Sequence, residues 1–185
     1  FLDKNVGTGN KVVRATGVTI KDSSNADVTG NYNISYVDNT TSTITPKALT
    51  ASYTASNKTY DGNATATVTG SSSDIISGDT VTLSNTSASF DNKNAGLAKT
   101  VSVAGISISG SQAANYSLQN TSATATADIS KKDVTLTASN VSKTYDGTLI
   151  YNTTSADLAP LTSQLINGDA VTAAVISFAN KNVGA

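Results

Sequence analysis

The chain has 185 residues, a length typical of one or two domains, and its 12 basic and 13 acidic residues give a net charge of −1. It contains 25 Ser, 29 Thr and 18 Asn, together 72 residues, but no His, Cys, Met, Trp or Glu. These absences exclude thiol, Ser-His-Asp and zinc–thiolate chemistry, so we predict no enzymatic activity and no catalytic residue. The scattered lysines form no basic stripe, and no apolar run is long enough to cross a bilayer, so neither nucleic-acid binding nor membrane insertion is expected.

The first stretch, residues 1–46, opens on a motif that occurs three times. Phe1-Leu-Asp-Lys-Asn-Val-Gly7 recurs as Phe90-Asp-Asn-Lys-Asn-Ala-Gly96 and as Phe178-Ala-Asn-Lys-Asn-Val-Gly184. We interpret each copy as a polar turn that ends in glycine. Repetition at an interval of about 88 residues indicates tandem structural units.

The middle stretch, residues 47–131, has apolar residues at every second position, which predicts short β-strands. A unit with about seven such strands is typical of a β-sandwich. The alternation changes phase at Ala104-Gly105, which predicts a bulge or tight turn there. The alternating segments are Leu49–Tyr53, Ala64–Val68, Val81–Leu83, Val101–Val103, Ile106–Ile108, Tyr116–Leu118 and Ala123–Ile129.

A second motif, Lys58-Thr-Tyr-Asp-Gly62, recurs as Lys143-Thr-Tyr-Asp-Gly147, and a Gly-Asp pair follows each copy. Asp-Gly favours a turn with positive φ, and we expect the tyrosine ring to pack into a core with its hydroxyl at the rim. The predicted structural-motif residues are Tyr60, Asp61, Gly62, Tyr145, Asp146 and Gly147, together with Phe1, Phe90 and Phe178.

The phase of the repeats predicts three parts. Residues 1–46 are the C-terminal part of one repeat, 47–131 are a complete repeat, and 132–185 are the N-terminal part of the next. No Gly/Ser linker separates the parts, so neighbouring units should hold a restricted angle. The predicted fold is all-β, with small sandwich-like modules (Ig-like or β-grasp-like) of about 85 residues arranged end to end.

The two Lys-Thr-Tyr-Asp-Gly copies, each after a Lys-x-Leu/Val-Thr strand and before a Gly-Asp-x-Val strand, carry a family resemblance. The chain resembles the YDG repeats, and the related MBG repeats, of large bacterial surface proteins that are similar to filamentous haemagglutinins and biofilm adhesins. This resemblance implies an extracellular or cell-surface location and a stalk or fibre of tandem modules. It implies no catalytic residues, and the ligands of the family do not transfer.

Three functions follow as hypotheses. The first is a structural spacer in a bacterial surface fibre or adhesin, whose partners are the neighbouring repeats of the same chain. The second is an adhesive module that binds glycans or host surface proteins directly. The third is a self-assembling filament in which identical subunits join head to tail by strand addition between the two partial repeats.

Calcium is the one metal to consider, because Ca²⁺ is bound by carboxylate and carbonyl oxygens. The nearest acidic cluster is Asp22-Ser-Ser-Asn-Ala-Asp27, and no Asp-x-Asp-x-Asp-Gly loop is present. We interpret this cluster as a solvated loop and predict no cofactor.

Overall fold

A computed structural model describes residues 1–135, 137–138, 140–154, 156–158, 164–166, 168–180 and 182. The described residues form fourteen strands, with 3-10 turns at Thr29–Asn31 and Ala113–Asn115. The predicted all-β content is therefore confirmed. None of the helical residues in the described part of the chain belongs to a helix long and apolar enough to span a bilayer.

The stretch 47–131 contains ten strands rather than the seven expected. One reason is that the first alternating segment is divided: the amide of Thr50 donates to Asp74 at 2.9 Å and that of Ala51 donates to Asn120 at 2.8 Å. These two amides donate to side chains and not to a neighbouring strand, so two strands form where one was predicted. The ten strands are β3 (Lys47–Leu49), β4 (Ser52–Ala55), β5 (Lys58–Thr59), β6 (Val68–Ser71), β7 (Thr82–Ser84), β8 (Ser87–Phe90), β9 (Gly96–Ala104), β10 (Ser107–Ser109), β11 (Tyr116–Leu118) and β12 (Ser122–Ser130).

A four-stranded sheet in the order β5-β12-β9-β8 forms the centre of this unit. Its long strands, β9 and β12, run antiparallel, and β5 joins the far edge of β12 in parallel. Two-stranded sheets surround it: β4 with β6 and β7 with β10 are antiparallel, whereas β3 with β11 is parallel. The two parallel pairs join the first strands of the unit to its last ones.

The core lies within this unit and is small. All ten apolar residues that are buried among the described residues belong to 47–131, and two of them are alanines. Alternating residues of β9 and β12 supply its centre, as the period-two pattern predicts. The ten are Leu49, Ala51, Tyr53, Phe90, Val101, Val103, Ile106, Tyr116, Ala127 and Ile129.

The chain bends at Ala104-Gly105, where the sequence predicts a change of phase. Strand β9 ends at Ala104, Gly105 has φ of +67°, and Ile106 is buried again. A Cβ at Gly105 would lie 2.1 Å from the Thr86 hydroxyl oxygen, so both the backbone conformation and the available space require glycine.

The flanking stretches form smaller sheets. In residues 1–46, β1 (Gly7–Val13) pairs antiparallel with β2 (Asn39–Ile44). In the described part of 132–182, β13 (Ile150–Tyr151) pairs antiparallel with β14 (Ile176–Ser177). Neither stretch contributes a fully buried apolar side chain.

Candidate functional site: the repeated turns and the junctions between units

The first Tyr-Asp-Gly turn is organised around Lys58. Its Nζ donates to Asp61 Oδ1 at 2.8 Å, to the Asn63 carbonyl oxygen at 2.9 Å and to the Thr65 carbonyl oxygen at 3.0 Å. The Asn63 amide also donates to Asp61 Oδ1, at 3.1 Å. Gly62 has φ of +81°, a left-handed conformation that only glycine adopts without strain. The turn is thus closed by one cation and one carboxylate.

The second copy has the same local geometry. Lys143 Nζ donates to Asp146 Oδ1 at 2.7 Å, to the Thr148 hydroxyl at 2.8 Å and to the Ile150 carbonyl oxygen at 2.8 Å. The Thr148 amide donates to Asp146 at 2.9 Å, and Gly147 has φ of +73°. Both Asp-Gly pairs therefore adopt a positive-φ turn.

These contacts stabilise the ionised form of both aspartates. The hydrogen bond from Lys143, followed by those from Thr148, lowers the pKa of Asp146 to about 2. The hydrogen bond from Lys58, with that of the Asn63 amide, likewise lowers the pKa of Asp61 below its usual range. Each turn therefore depends on a carboxylate that remains charged in mildly acidic solution.

The two motif tyrosines differ in their surroundings. Tyr60 is half-buried against the core, as expected, and its hydroxyl donates to Asp169 Oδ2 at 2.9 Å. Tyr145 is 61% exposed, so the expectation that it packs into a core is wrong. The Tyr60 amide donates to the Ser130 carbonyl oxygen of β12 at 2.9 Å, and the described part of 132–182 contains no strand corresponding to β12.

Phe90 connects the two repeated motifs. It is 3% exposed, and Lys58 Nζ lies 5.5 Å from its ring centroid, within the range of a cation–π contact. Its amide donates to the Ala64 carbonyl oxygen at 2.7 Å. The Phe motif therefore packs directly on the Tyr-Asp-Gly turn of the same unit.

The other two phenylalanines, Phe1 and Phe178, differ from Phe90 in the burial of their rings. The Phe178 amide donates to the Leu149 carbonyl oxygen at 2.9 Å, the counterpart of the bond between Phe90 and Ala64. Phe178 is nevertheless 36% exposed, and Phe1 is 62% exposed. The backbone bond recurs, but the ring is buried only in the complete unit.

A largely buried lysine, Lys99, also contacts the Phe motif. Lys99 Nζ donates to Asn92 Oδ1 at 2.8 Å and pairs with Asp91 Oδ1 at 2.8 Å, and its side chain is only 9% exposed. In the first stretch Lys11, a buried residue, pairs with Asp3 in the same way. Burial of an ammonium group is tolerated because each one is paired.

The glycine at the end of the motif makes room for this lysine. A Cβ at Gly7 would lie 2.4 Å from Lys11 Cε, and one at Gly96 would lie 3.4 Å from Lys99 Cδ. At Gly7, therefore, a side chain would collide with the Lys11 stem, whereas at Gly96 it would make an ordinary van der Waals contact with Lys99.

The first junction joins the Phe motif of residues 1–46 to the stretch 47–131. Lys4 Nζ lies 3.3 Å from Asp79 Oδ1. The Val6 amide donates to Asn115 Oδ1 at 2.9 Å, and the Asn115 amide group donates to Asn5 Oδ1 at 3.0 Å. Residues 4–6 of the Phe motif therefore contact Asp79 and Asn115 of the stretch 47–131.

Asp79 is the central acceptor of this junction. The Tyr116 hydroxyl donates to Asp79 Oδ2 at 2.7 Å and accepts from the Ile76 amide at 2.9 Å. The Tyr116 hydrogen bond, and then that of Lys4, lower the pKa of Asp79. The Asp79 side chain is only 8% exposed, so this carboxylate is largely enclosed by its partners.

The second junction brings the corresponding segments together. Asn94 and Ala95 of the next Phe motif line a cleft of about 380 Å³ together with Tyr60, Ile166 and Asp169. Asp169 occupies the place in the repeat that Asp79 has in the first junction, where a related cleft of about 210 Å³ opens. Residues of a Phe motif and of a Gly-Asp segment therefore line a common cleft in both places.

Gly62 is a contact point of the second junction. A Cβ at this position would lie 2.5 Å from Ile166 Cγ2, whereas a Cβ at Gly147 would meet nothing within 4 Å. Gly62 therefore has two roles: it allows the positive φ of its own turn, and it leaves space for the Ile166 side chain.

In the acidic loop considered for calcium, the Asp22 carboxylate accepts hydrogen bonds from residues of the same loop. Asp22 Oδ1 accepts from the Ser24 hydroxyl at 2.7 Å, the Ser24 amide at 2.9 Å and the Ala26 amide at 3.0 Å. These bonds, with the Ser24 hydroxyl first, lower the pKa of Asp22. In the described part of the chain, no three His, Cys, Asp or Glu residues are placed to hold a metal ion.

Several functional side chains were not assigned a role from the sequence. Lys58 and Lys143 were recognised only as part of a repeated motif, and Asp79 and Asp169 only as members of a repeated Gly-Asp pair. The signal was present, because both lysines precede the motif aspartate by three residues. What the repetition alone could not show is that Asp79 and Asp169 face the preceding unit.

The described residues form an all-β structure in which the Lys-Thr-Tyr-Asp-Gly turn occurs twice with the same local geometry. The YDG domain family matches residues 45–125 and 130–185, and the chain belongs to this family. Neither a curated protein nor a solved structure matches it.

Proposed function

We propose that this chain is a run of structural spacer modules in an extracellular fibre or surface adhesin of a bacterium. The observation that carries the proposal is the recurrence of one junction. Residues of a Phe motif and the Gly-Asp aspartate of the following stretch line one cleft at both boundaries, and at the first boundary Lys4 and Asp79 also form an ion pair. Repeats whose corresponding segments adjoin in this way would follow one another at a similar angle, which is the requirement for an extended array.

The short connection at the first boundary supports the same conclusion. Only Thr45 and Pro46 separate β2 from β3. A flexible linker needs more residues than these, so we expect a restricted angle at this boundary. Small sandwich-like modules arranged end to end are the architecture that we propose for the array.

The surface of the complete unit favours a spacer over an adhesive module. A binding face of this composition would present clustered aromatic rings. In 47–131, however, Tyr53, Phe90 and Tyr116 are buried and Tyr60 is half-buried, so the large apolar side chains exposed on the outer faces, Ile76 and Leu97, are aliphatic. A module that only separates other parts of a fibre needs no clustered aromatic rings.

The dimensions of a chain with one added repeat test this proposal. A copy of 47–131 is inserted between Lys131 and Lys132 so that the repeat stays in phase, and both chains are measured by small-angle X-ray scattering. We expect the maximum dimension to increase by the length of one unit while the cross-section stays unchanged. An increase in cross-section with little change in length would contradict the spacer role.

A matched pair of substitutions tests the junction itself. Gly62→Ala and Gly147→Ala both place a side chain at positive φ, but only the first also displaces Ile166. We expect Gly62→Ala to broaden the scattering-derived distance distribution more than Gly147→Ala does. Equal profiles would show that the contact does not set the angle, and reproducible binding of the unmodified chain on a glycan array would favour the adhesive alternative.

A further inference from the structure

The first and last segments of the stretch 47–131 run side by side. We call residues 47–60 the entry segment and residues 116–130 the exit segment. Strand β3 pairs in parallel with β11 at the start of both segments. Strand β5 pairs in parallel with the end of β12, where Thr59 lies opposite Ser130. The two segments therefore point in the same direction, with their starts together and their ends together.

Asparagine side chains continue the contact between the two segments where the backbone pairs are interrupted. Asn120 Oδ1 accepts from the Ala51 amide at 2.8 Å, and Asn120 Nδ2 donates to the Ala51 carbonyl oxygen at 3.0 Å. Further along, the Asp128 amide donates to Asn57 Oδ1 at 2.8 Å. The partners are 69 residues apart in the first contact and 71 in the second, as they are in the flanking backbone pairs. The segments thus stay adjacent from start to end.

Both segments are also anchored in the core. Leu49 of the entry segment and Ile129 of the exit segment are among the most deeply buried side chains of the described residues. Strand β12 lies inside the four-stranded sheet, between β5 and β9, so it has a hydrogen-bonded neighbour on each side. Sliding either segment along its axis would therefore expose apolar side chains in addition to breaking hydrogen bonds.

The chain enters and leaves this pair of segments at opposite ends. Pro46 precedes the start of the entry segment, and Lys131 follows the end of the exit segment. Because the segments are parallel, a pull on these two residues draws the segments in opposite directions along their common axis. The bonds between the segments then carry the force together, whereas a pull on two adjacent ends would break them one after another.

We propose that the stretch 47–131 resists tension along the chain through the parallel pairing of its entry and exit segments. The inference rests on the proposed spacer function, because tension between the two sides of a module arises in a fibre that is held at both ends. The property that the pairing sets is the rate of unfolding under force, which differs from the equilibrium stability. The module therefore transmits force between its neighbours while it remains folded.

Optical-tweezer measurements on the full chain in two pulling directions test this inference. The chain has no cysteine, so DNA handles can be attached at introduced cysteines. Thr45→Cys with Lys131→Cys pulls at opposite ends of the paired segments. Thr59→Cys with Lys131→Cys pulls at adjacent ends, because Thr59 lies beside the last residue of the exit segment. All three positions are exposed, and the flanking stretches lie outside both paths of the force.

We expect the unfolding force at one loading rate to be at least about twofold higher for the first pair of handles than for the second. Urea denaturation should give the same midpoint for both double variants, so that the difference reflects direction alone. Asn120→Ala should lower the force in the first direction, whereas Asn85→Ala, outside both segments, should not.

Equal forces in the two directions, a weaker first direction, or equal effects of the two asparagine substitutions would each overturn the inference. None of these outcomes changes the scattering test of the spacer proposal, because that test measures the dimensions of the chain without load. A failure of the spacer proposal would conversely appear in the scattering data and not in the ratio of the two forces.

Discussion

The stretches 47–131 and 132–182 contain the same sequence motif in different surroundings. Lys58 and Lys143 close their turns with equivalent hydrogen bonds, and both turn glycines have positive φ. Tyr60 is nevertheless packed against a core, whereas Tyr145 is exposed. The turn is therefore encoded by a few neighbouring residues, while burial of the ring requires a strand from the far end of the unit.

The largest effect should come from the buried member of the Phe motif. Phe90→Ala empties a site in the core and should lower the free energy of unfolding of the complete unit by about 3–5 kcal/mol. Phe1→Ala, the same change at an exposed copy, should alter it by less than about 0.5 kcal/mol. Urea denaturation followed by circular dichroism in dilute solution measures both, and similar losses would contradict the difference in packing.

The turn lysines should give an intermediate effect. Lys58→Met keeps the aliphatic stem but removes the four hydrogen-bond contacts of the ammonium group and its contact with Phe90, so we expect a loss of about 2 kcal/mol in the same transition. Lys143→Met breaks an equivalent turn outside the core and should change that transition by less than about 0.5 kcal/mol. If both substitutions destabilise the unit equally, the two turns are not independent.

The smallest effect should appear in acid. The pKa of Asp146 is about 2 in the folded chain, whereas the ordinary value for an aspartate is 3.8. The ionised carboxylate therefore stabilises the turn fully above about pH 4. This stabilisation is lost as the pH falls from about 4 towards 2. A carboxyl NMR titration should place Asp146 well below 3.8, and Lys143→Met should return it towards that value. An unchanged titration in the variant would show that Lys143 does not hold the carboxylate.

Periodic patterns predicted what depends on neighbouring residues. Alternation located the strands around Val101–Val103 and Ala123–Ile129, and the change of phase located the bend at Gly105. Asp-Gly predicted positive φ at Gly62 and Gly147. Each of these features is determined over a few residues, so the local sequence is sufficient to specify it.

Features that depend on distant partners could not be predicted in the same way. Nothing in the pattern of Lys47–Leu49 shows that this strand pairs in parallel with Tyr116–Leu118. The exposure of Tyr145 likewise depends on the strand that would face it. The division of the chain at residues 46 and 131 remains a prediction from the repeats.

The parallel closure of the unit also determines when it can fold. Strand β3 cannot form its pair until β11 has been synthesised, and β5 must wait for β12. Such non-local pairing delays the cooperative step until nearly the whole unit is available. A nascent chain of these repeats would therefore acquire structure in discrete steps, one unit at a time from the amino terminus.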